Sequence, residues 1–305
     1  MAAAEVARSM PAAATARDLA TALYRRWYLG LDDGGDDGAA PAMAVGVPTA
    51  ADVNLLDALR SAHVDSGRWL DGWSVRAVSS RGRALVERHG RERVLHRVDV
   101  LAGSRPCLPP RAGDRVRVTA RRDYLDEEGG FWFAAGGAWD EAVVPPSLVR
   151  LYWHVSRAGA PALVHHLTRA LDGGAVPHSL KVARADPPTD RPDGAVLYVE
   201  EAHVEAALAA AAACHPAVSP WLRPGVPRLT LELAPGVGLA EDPGTGESFG
   251  QARCRVVAAA VADRRDASLD EAAAGALAAL ETAGVDPGRP HLRPGSDRDY
   301  RWPPP

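Results

Sequence analysis

A single lysine stands out among the residues that could do acid–base chemistry. Lys181 is the only lysine in 305 residues, since every other basic residue apart from histidine is arginine. It lies in an apolar run between Leu180 and Val182, which predicts a buried strand. A buried lysine beside other cations can lose its proton and act as a base, which arginine cannot do, and Arg184 and Arg191 follow closely. A surface lysine that escaped replacement by arginine is the simpler interpretation, and by residue count alone it is favoured.

A second group of candidates comes from the segment RLYWHV and from the start of a later helix. Strand alternation places Arg150, Tyr152 and His154 on one face of that segment. A polar face on a core strand predicts a lined cavity, although a satisfied buried histidine fits equally well. Arg253 and Arg255 lie two apart near a predicted helix start, where the helix N-terminus and arginine forks both favour phosphate. Arginine is abundant throughout the chain, so this signal is weak by itself.

One motif points to a different chemistry. The sequence GESFG around Ser248 matches the GxSxG pattern of a serine hydrolase, which needs a strand directly before the serine. The residues before it, EDPGTG, are poor strand formers, and the nearest predicted strand ends at Leu233. A serine hydrolase therefore stays as a weaker alternative. The adjacent pair His165 and His166 diverges by about 100° on a helix, so it is poorly placed to share one metal.

Composition excludes several classes of partner. The net charge of -4 does not favour nucleic acid or an anionic membrane, and no run of 18 apolar residues predicts a membrane span. Residues 1–16 have no continuous apolar stretch of the kind found in signal peptides. Cys107, Cys214 and Cys254 are widely spaced without metal-binding patterns, so we expect reduced thiols, a cytoplasmic protein, and no metal or other cofactor.

The elements that must position these residues predict an α+β fold. The first part, residues 1–146, reads as two helices followed by an antiparallel β-meander, and Pro145–Pro146 marks its end. The second part, residues 147–305, alternates strands with helices, which predicts a mixed sheet core flanked by helices. Within it, residues 178–201 predict two buried strands joined by a proline-rich turn, and residues 234–250 predict a glycine-rich loop.

Several segments, taken in order, resemble the HopA-type family. This family includes type III effectors of plant pathogens and lyases from class V lanthipeptide and thioamitide gene clusters. The resemblance covers most of residues 20–300 and is strongest from 148 to 262. The matching segments are Leu180-Lys181-Val182, Asp186-Pro187, RPDGAVLY at 191–198, LAPGVGLAEDP at 233–243, and Ser248-Phe249-Gly250 with Arg253.

The resemblance implies a lyase that acts on a phosphorylated precursor peptide. A partner Ser/Thr kinase phosphorylates the peptide, and the lyase then removes the Cα proton and expels phosphate, which leaves dehydroalanine or dehydrobutyrine. Carried to this sequence, Lys181 is the expected base and His154 the expected acid. Tyr198 or Tyr152 would stabilise the enolate-like oxygen or assist the acid. This chemistry requires no metal or redox cofactor.

The resemblance assigns phosphate binding to arginines. The expected ligands are Arg191 and Arg253, with Arg184 and Arg255 beside them. The sequence also departs from the family pattern: Glu232 stands where many relatives have lysine, and Leu180 and the Thr189–Asp190 turn replace aromatic residues. A non-catalytic member that binds the peptide or the kinase is therefore the alternative. We expect the N-terminal part, residues 1–146, to recognise the peptide or the kinase.

Overall fold

The computed structural model describes residues 3–11, 13–31, 50–67, 69–102, 109–126, 130–137, 139–140, 143, 145–184, 191–262, 264 and 267–303. Helices and two antiparallel sheets make up this part of the chain, which confirms the predicted α+β class. No helix in these ranges is long and apolar enough to cross a membrane. The predicted turn at Thr189–Asp190 and Cys107 lie outside the described residues.

The helices differ from the prediction in two places. The short helix Ala3–Ser9 was not predicted, and the helix that proline was expected to end at Pro216 continues through it to Val218. The helix that starts at Ala16, behind a capping box of Thr15 and Asp18, runs on without a break into a π-helical segment, Leu23–Tyr28. The α-helices are α1 Ala3–Ser9, α2 Ala16–Ala22, α3 Ala50–Ala62, α4 Ala160–Gly173, α5 Val204–Val218, α6 Phe249–Ala262 and α7 Leu269–Thr282.

The first sheet has five strands in the order β3-β2-β1-β5-β4. Its inward side chains, among them Trp73 and Val118, form a small hydrophobic core of their own. Alternate residues such as Arg115 and Arg117 are exposed, as a meander with one wet face predicts. The strands are β1 Trp69–Val78, β2 Arg83–Arg88, β3 Arg91–His96, β4 Val100–Ala102 and β5 Arg115–Thr119.

The second sheet has seven strands in the order β11-β12-β8-β10-β9-β7-β6. Two of its strands, β6 and β7, were predicted as part of the meander, but β7 pairs with β9 because the fully buried Trp132 and Ala134 belong to the larger core. The division of the chain into two parts at residue 146 stays a prediction. This sheet contains strands from both parts, because β6 and β7 precede residue 146 and the other five strands follow it. The strands are β6 Asp123–Asp126, β7 Phe131–Gly136, β8 Leu148–Trp153, β9 His178–Ala183, β10 Ala195–Glu200, β11 Leu231–Ala234 and β12 Val237–Glu241.

All strand pairs in the described residues are antiparallel, so the prediction of a mixed sheet was wrong. The prediction assumed that strands joined by a helix lie side by side and parallel. Here β8 and β9 are joined by α4 and run the same way, but β10 lies between them and is antiparallel to both. The pairing of β9 with β10 confirms the two adjacent buried strands predicted within residues 178–201, and residues 185–190 of the turn predicted between them lie outside the described residues.

The predicted glycine-rich loop contains a central strand. β12, Val237–Glu241, is buried at every position and pairs with β8. The glycines suggested a loop, but Gly238 lies within the strand because neighbouring side chains leave no room for a larger residue. A Cβ at that position would lie 3.0 Å from the Thr230 hydroxyl and 3.1 Å from the Val226 Cβ. This strand flanks β8 and so fixes one side of the sheet face that carries the predicted site.

The two faces of the second sheet have different coverings. Apolar side chains of one face, such as Leu151 and Leu197, pack against α4 and α5 in the main core. On the opposite face, Tyr152 and Val196 pack with side chains of α2, the π-helical segment and α6. The N-terminal helices therefore cover the face on which strand alternation puts the candidate functional residues.

Candidate active site

Strand register brings Lys181 and Tyr152 onto one face of the second sheet. Lys181 is opposite Val196 on one side and Phe133 on the other, and Val196 is opposite Tyr152. Lys181 and Tyr152 are thus two strands apart in one row, roughly 10 Å between backbones. Tyr198 is paired with Arg150 in the next row that faces the same way. Arg150 and Tyr152 therefore lie on one face, as strand alternation predicts, and Lys181 lies on the same face. The third residue predicted on this face, His154, lies one residue beyond the end of β8.

The Lys181 ammonium has an environment that favours its neutral form. The side chain is half-buried, and its Nζ lies 3.5 Å from the centroid of the Phe131 ring. Among the residues that the structure describes, no hydrogen bond or ion pair holds this nitrogen. Burial lowers the pKa of Lys181 to about 8, and the positive charges of Arg191 and Arg150 act in the same direction, while Asp193 opposes them. With this pKa, roughly a tenth of the amine is neutral at pH 7, several hundred times more than at the ordinary value.

Arg191 is held as a rigid fork beside the lysine. Its Nε and Nη2 each donate to the Asp193 carboxylate at 2.9 Å, and its guanidinium carbon lies 5.5 Å from the centroid of the Phe131 ring. Asp193 and Tyr24 raise the pKa of Arg191 although burial opposes its charge. A guanidinium has five N–H donors, and the pair with Asp193 uses two of them. Arg191 is thus the predicted phosphate ligand that the structure places beside Lys181.

Arg150 is a second buried cation on this face, and the sequence analysis did not select it as a phosphate ligand. Its Nε donates to Asp242 at 3.0 Å, its Nη2 contacts the same carboxylate, and its guanidinium carbon lies 5.3 Å from the centroid of the Tyr198 ring. Burial raises the pKa of Tyr152 and of Tyr198, so both phenols keep their protons at neutral pH. The alternation in RLYWHV was the signal that could have identified Arg150.

His154 is buried and lies one residue beyond the end of β8. Its Nδ1 is 2.9 Å from the Pro224 carbonyl oxygen, to which it donates, and its Nε2 is buried with no hydrogen-bond partner in the described residues. Burial lowers the pKa of His154. At rest the ring is therefore neutral, with a bare Nε2. A role as acid requires this nitrogen to gain a proton first, which an incoming anion would favour.

The other three predicted arginines have different partners. Arg253 is 3% exposed, and it donates from Nε to the Pro290 carbonyl at 3.0 Å and from Nη2 to the Leu292 carbonyl at 2.7 Å. Arg255 pairs with Glu247 on the surface, with Nη2 2.9 Å from Oε2. Arg184 follows β9 directly, and its amide donates to the Gly130 carbonyl. Their assignment to phosphate stays a prediction, and Arg253 and Arg255 already bind other groups.

Ser248 is a helix cap in this structure. Its Oγ accepts from the Gln251 amide at 3.2 Å, and its own amide donates to the Gln251 side chain at 3.2 Å. The preceding strand ends at Glu241, so no strand runs directly into the serine as a nucleophile elbow requires. Within the described ranges, no group of three or more His, Cys, Asp or Glu side chains is arranged to hold a metal ion.

Comparisons with known proteins give a family and a fold. A family model described as the HopA1 effector protein family matches residues 126–292, more than half of the chain. The solved structure of the effector protein from Pseudomonas syringae pv. tomato strain DC3000 is similar, with a TM-score of 0.53 and 16% sequence identity over 95% of this chain and 94% of that chain. The effector protein from Pseudomonas syringae pv. syringae strain 61 aligns with a TM-score of 0.46 and 14% identity over 95% of both chains. No curated protein matches this chain.

Proposed function

The chain belongs to the HopA1 effector protein family, and we propose that it is a phosphoserine and phosphothreonine lyase acting on a kinase-phosphorylated precursor peptide. The observation that supports this most directly is the environment of Lys181. Its half-buried amine has a pKa lowered to about 8 by burial, and it shares a sheet face with Arg191 and Arg150. A weak base near buried cations is the combination that β-elimination of phosphate needs.

In the proposed reaction the neutral Lys181 amine takes the Cα proton of the phosphorylated residue. The electrons of the Cα–H bond form the Cα=Cβ double bond, the Cβ–O bond breaks, and its electrons leave with the phosphate. His154 would donate a proton to the departing phosphate once its Nε2 has been protonated. The phenol of Tyr152 or Tyr198 would donate a hydrogen bond to the carbonyl oxygen that gains negative charge as Cα loses its proton.

The buried arginines would neutralise the phosphate. Arg191 has donors left beyond its pair with Asp193, and Arg150 lies on the same face beside Tyr198. Both guanidinium groups keep their charge at any physiological pH, so they serve the leaving group without competing for the abstracted proton. Charge neutralisation of this kind is also the main requirement of phosphoryl transfer.

A non-catalytic member that binds the peptide or the kinase is the second candidate. The observation that favours it is that both buried arginines already pair with carboxylates, Arg191 with Asp193 and Arg150 with Asp242. A bound phosphate would have to share these two guanidinium groups with the carboxylates of Asp193 and Asp242. In either case the proposed partners are a phosphorylated precursor peptide and a Ser/Thr kinase, and the first sheet, β1–β5, is the proposed surface for recognising one of them.

The test uses the precursor peptide phosphorylated by its kinase, and mass spectrometry of the product. The wild-type chain should remove phosphate, so that each processed residue is lighter than the unmodified one by one water. Lys181→Arg keeps the positive charge but cannot act as a base, so elimination should fall at least about a hundredfold while phosphopeptide binding is retained. Arg301→Lys, a change at an exposed arginine paired with Asp299, is the matched control and should keep full activity.

The outcomes separate the two candidates. Persistent phosphopeptide with the wild-type chain, together with tight binding, supports the non-catalytic candidate and removes the lyase. Elimination by Lys181→Arg at the wild-type rate would show that another group is the base.

A further inference from the structure

A segment outside the family match brings two tyrosines to the candidate site. Leu23–Tyr28 is π-helical, and the Leu29 amide donates to the Tyr24 carbonyl at 3.1 Å, five residues back. Turns of this kind are rare and are frequent at functional sites. The Tyr24 and Tyr28 rings stack with centroids 5.4 Å apart and planes 16° apart. The family model starts only at residue 126, so neither tyrosine belongs to the matched region.

Tyr24 contacts the arginine fork. Its phenol interacts electrostatically with the Arg191 guanidinium and the Asp193 carboxylate, and its ring packs against the cluster that contains Tyr152 and Val196. A guanidinium can only donate, so the favourable approach to Arg191 is through the phenol oxygen. Burial, together with Asp193, raises the pKa of Tyr24, which keeps the phenol protonated. Arg191 is therefore fixed on one side by Asp193 and on the other by Tyr24.

Tyr28 occupies the buried end of the same face. It is 3% exposed, and its ring lies 6.2 Å from that of Phe249. Its hydroxyl lies close to the phenol of Tyr152, a candidate catalytic group, and interacts with it. The polar neighbour of Tyr152 on this side therefore comes from the N-terminal segment.

Gly250 makes room for the Tyr28 ring. A Cβ at this position would lie 2.3 Å from Cε1 and 2.7 Å from Cδ1 of Tyr28, so no other residue fits while the ring stays in place. On the other side, the Tyr28 carbonyl accepts from the Arg228 amide at 3.1 Å. Gly250 is the glycine of the SFG segment at the start of α6. A glycine is needed there because the Tyr28 ring of the N-terminal segment packs directly against its Cα.

We propose that Tyr24 and Tyr28 are positioning residues of the active site, and that Gly250 leaves the space that the Tyr28 ring occupies. Tyr24 holds the Arg191 fork in the orientation that receives phosphate, and Tyr28 fixes the phenol of Tyr152. This inference rests on the proposed function, because it takes Arg191 as a ligand of the substrate phosphate. It adds residues of the N-terminal segment to a site otherwise built from the strands of the second sheet and the residues that flank them.

The test is Tyr24→Phe, which removes only the phenolic oxygen. Its matched control is Tyr300→Phe, since the Tyr300 hydroxyl is also buried and donates at 2.7 Å to Glu241, whose pairing with Val149 puts it on the opposite face of the sheet. Binding of the kinase-phosphorylated precursor peptide is measured against the unphosphorylated peptide by fluorescence anisotropy. Tyr24→Phe should weaken phosphopeptide binding about tenfold, as expected for loss of one polar contact with a charged group, and leave the binding of the unphosphorylated peptide unaffected.

Kinetics give the second measurement. Tyr24→Phe should raise KM about tenfold with a smaller change in kcat, whereas Tyr300→Phe should change only the unfolding midpoint. If Tyr24→Phe and the wild type bind the phosphopeptide with equal affinity, the inference is overturned, even if the wild type eliminates phosphate as proposed. If the wild-type chain binds phosphopeptide selectively but leaves the phosphate in place, the proposed reaction is wrong, and the binding comparison still decides the role of Tyr24. A wild type without preference for the phosphorylated peptide refutes both.

Discussion

Replacing Lys181 with methionine should stabilise the protein at neutral pH while it removes the proposed activity. The pKa of this amine is lowered by burial to about 8, below the ordinary value of 10.5. Each pH unit of difference corresponds to about 1.4 kcal/mol, so holding the protonated amine in the fold costs about 3 kcal/mol below pH 8. Methionine has a similar length and no charge, so it avoids this cost.

The contact with Phe131 subtracts from the gain. The ammonium lies 3.5 Å from the ring centroid, and a partly buried cation–π contact is worth up to about 2 kcal/mol. The net stabilisation of Lys181→Met at pH 7 is therefore expected at about 1 to 3 kcal/mol, measured by urea unfolding.

The pH dependence is the sharper measurement. Between pH 8 and 10.5 the unfolded chain binds a proton at this lysine that the folded chain does not. The contribution of Lys181 to the free energy of unfolding of the wild type therefore rises with pH over this range. The cost in the wild type falls from about 3 kcal/mol at pH 7 to about 1 kcal/mol at pH 9.5. The advantage of Lys181→Met should shrink by about 2 kcal/mol over this range.

Arg255→Met is the control, because it removes an exposed cation paired with Glu247 that does not titrate in this range. Its effect on unfolding should be the same at both pH values. If the difference between Lys181→Met and wild type is as large at pH 9.5 as at pH 7, the lysine has an ordinary pKa, and the argument for a base at this position fails.

Three further predictions concern residues around the site. Gly250→Ala should destabilise the fold by about 2 to 4 kcal/mol, because its Cβ would lie 2.3 Å from Cε1 of Tyr28. In the Tyr28→Ala background the same change should cost much less by urea unfolding, and an equal cost in both backgrounds would contradict the fit between these residues. Ser248→Ala should cost about 1 kcal/mol as a lost helix cap and leave elimination intact, and loss of elimination without unfolding would reopen the hydrolase alternative. Asp193→Asn should shift the rising limb of the kcat/KM profile to lower pH, since Asp193 raises the pKa of Lys181; a shift to higher pH would refute that electrostatic assignment.

The parts of the site that the sequence predicted are those that depend on local periodicity. The side chains of a strand alternate, so RLYWHV was enough to put Arg150 and Tyr152 on one face, and the flanking Leu180 and Val182 were enough to put Lys181 in a core strand. The adjacency of β9 and β10 also followed, because the sequence between them is polar and proline-rich, which predicts a turn.

The parts that the sequence did not predict depend on contacts between distant segments. The insertion of β10 between β8 and β9 is set by long-range pairing, so the helix between the strands suggested a parallel sheet that does not form. The strand β12 was hidden by glycines whose cause, the approach of Val226 and Thr230, is visible only in three dimensions. The sequence contains no sign that Tyr24 interacts with Arg191, because the two residues are far apart along the chain.

Arg253 shows why a residue's type and its place near a helix start do not fix its role. Proximity to the helix N-terminus suggested phosphate, but the start of α6 lies close to the C-terminal segment, and Arg253 uses its donors on the carbonyls of Pro290 and Leu292. Buried carbonyls need donors, and a buried guanidinium that satisfies two of them has a structural role already. Tertiary packing, which no local pattern encodes, decides which arginines remain for a ligand.

The charges of the site impose opposite demands on the proposed base and acid. A phosphate dianion raises the pKa of every nearby group, so it helps His154 to gain the proton it lacks at rest but tends to protonate Lys181, which must stay neutral. The two buried arginines resolve this conflict if they lie closer to the phosphate than the lysine does, because they cancel its charge at Lys181. Tyr24 and Asp193, which hold Arg191 from two sides, then matter for the base as well as for binding. A loose Arg191 would weaken phosphate binding and return the lysine to its charged form.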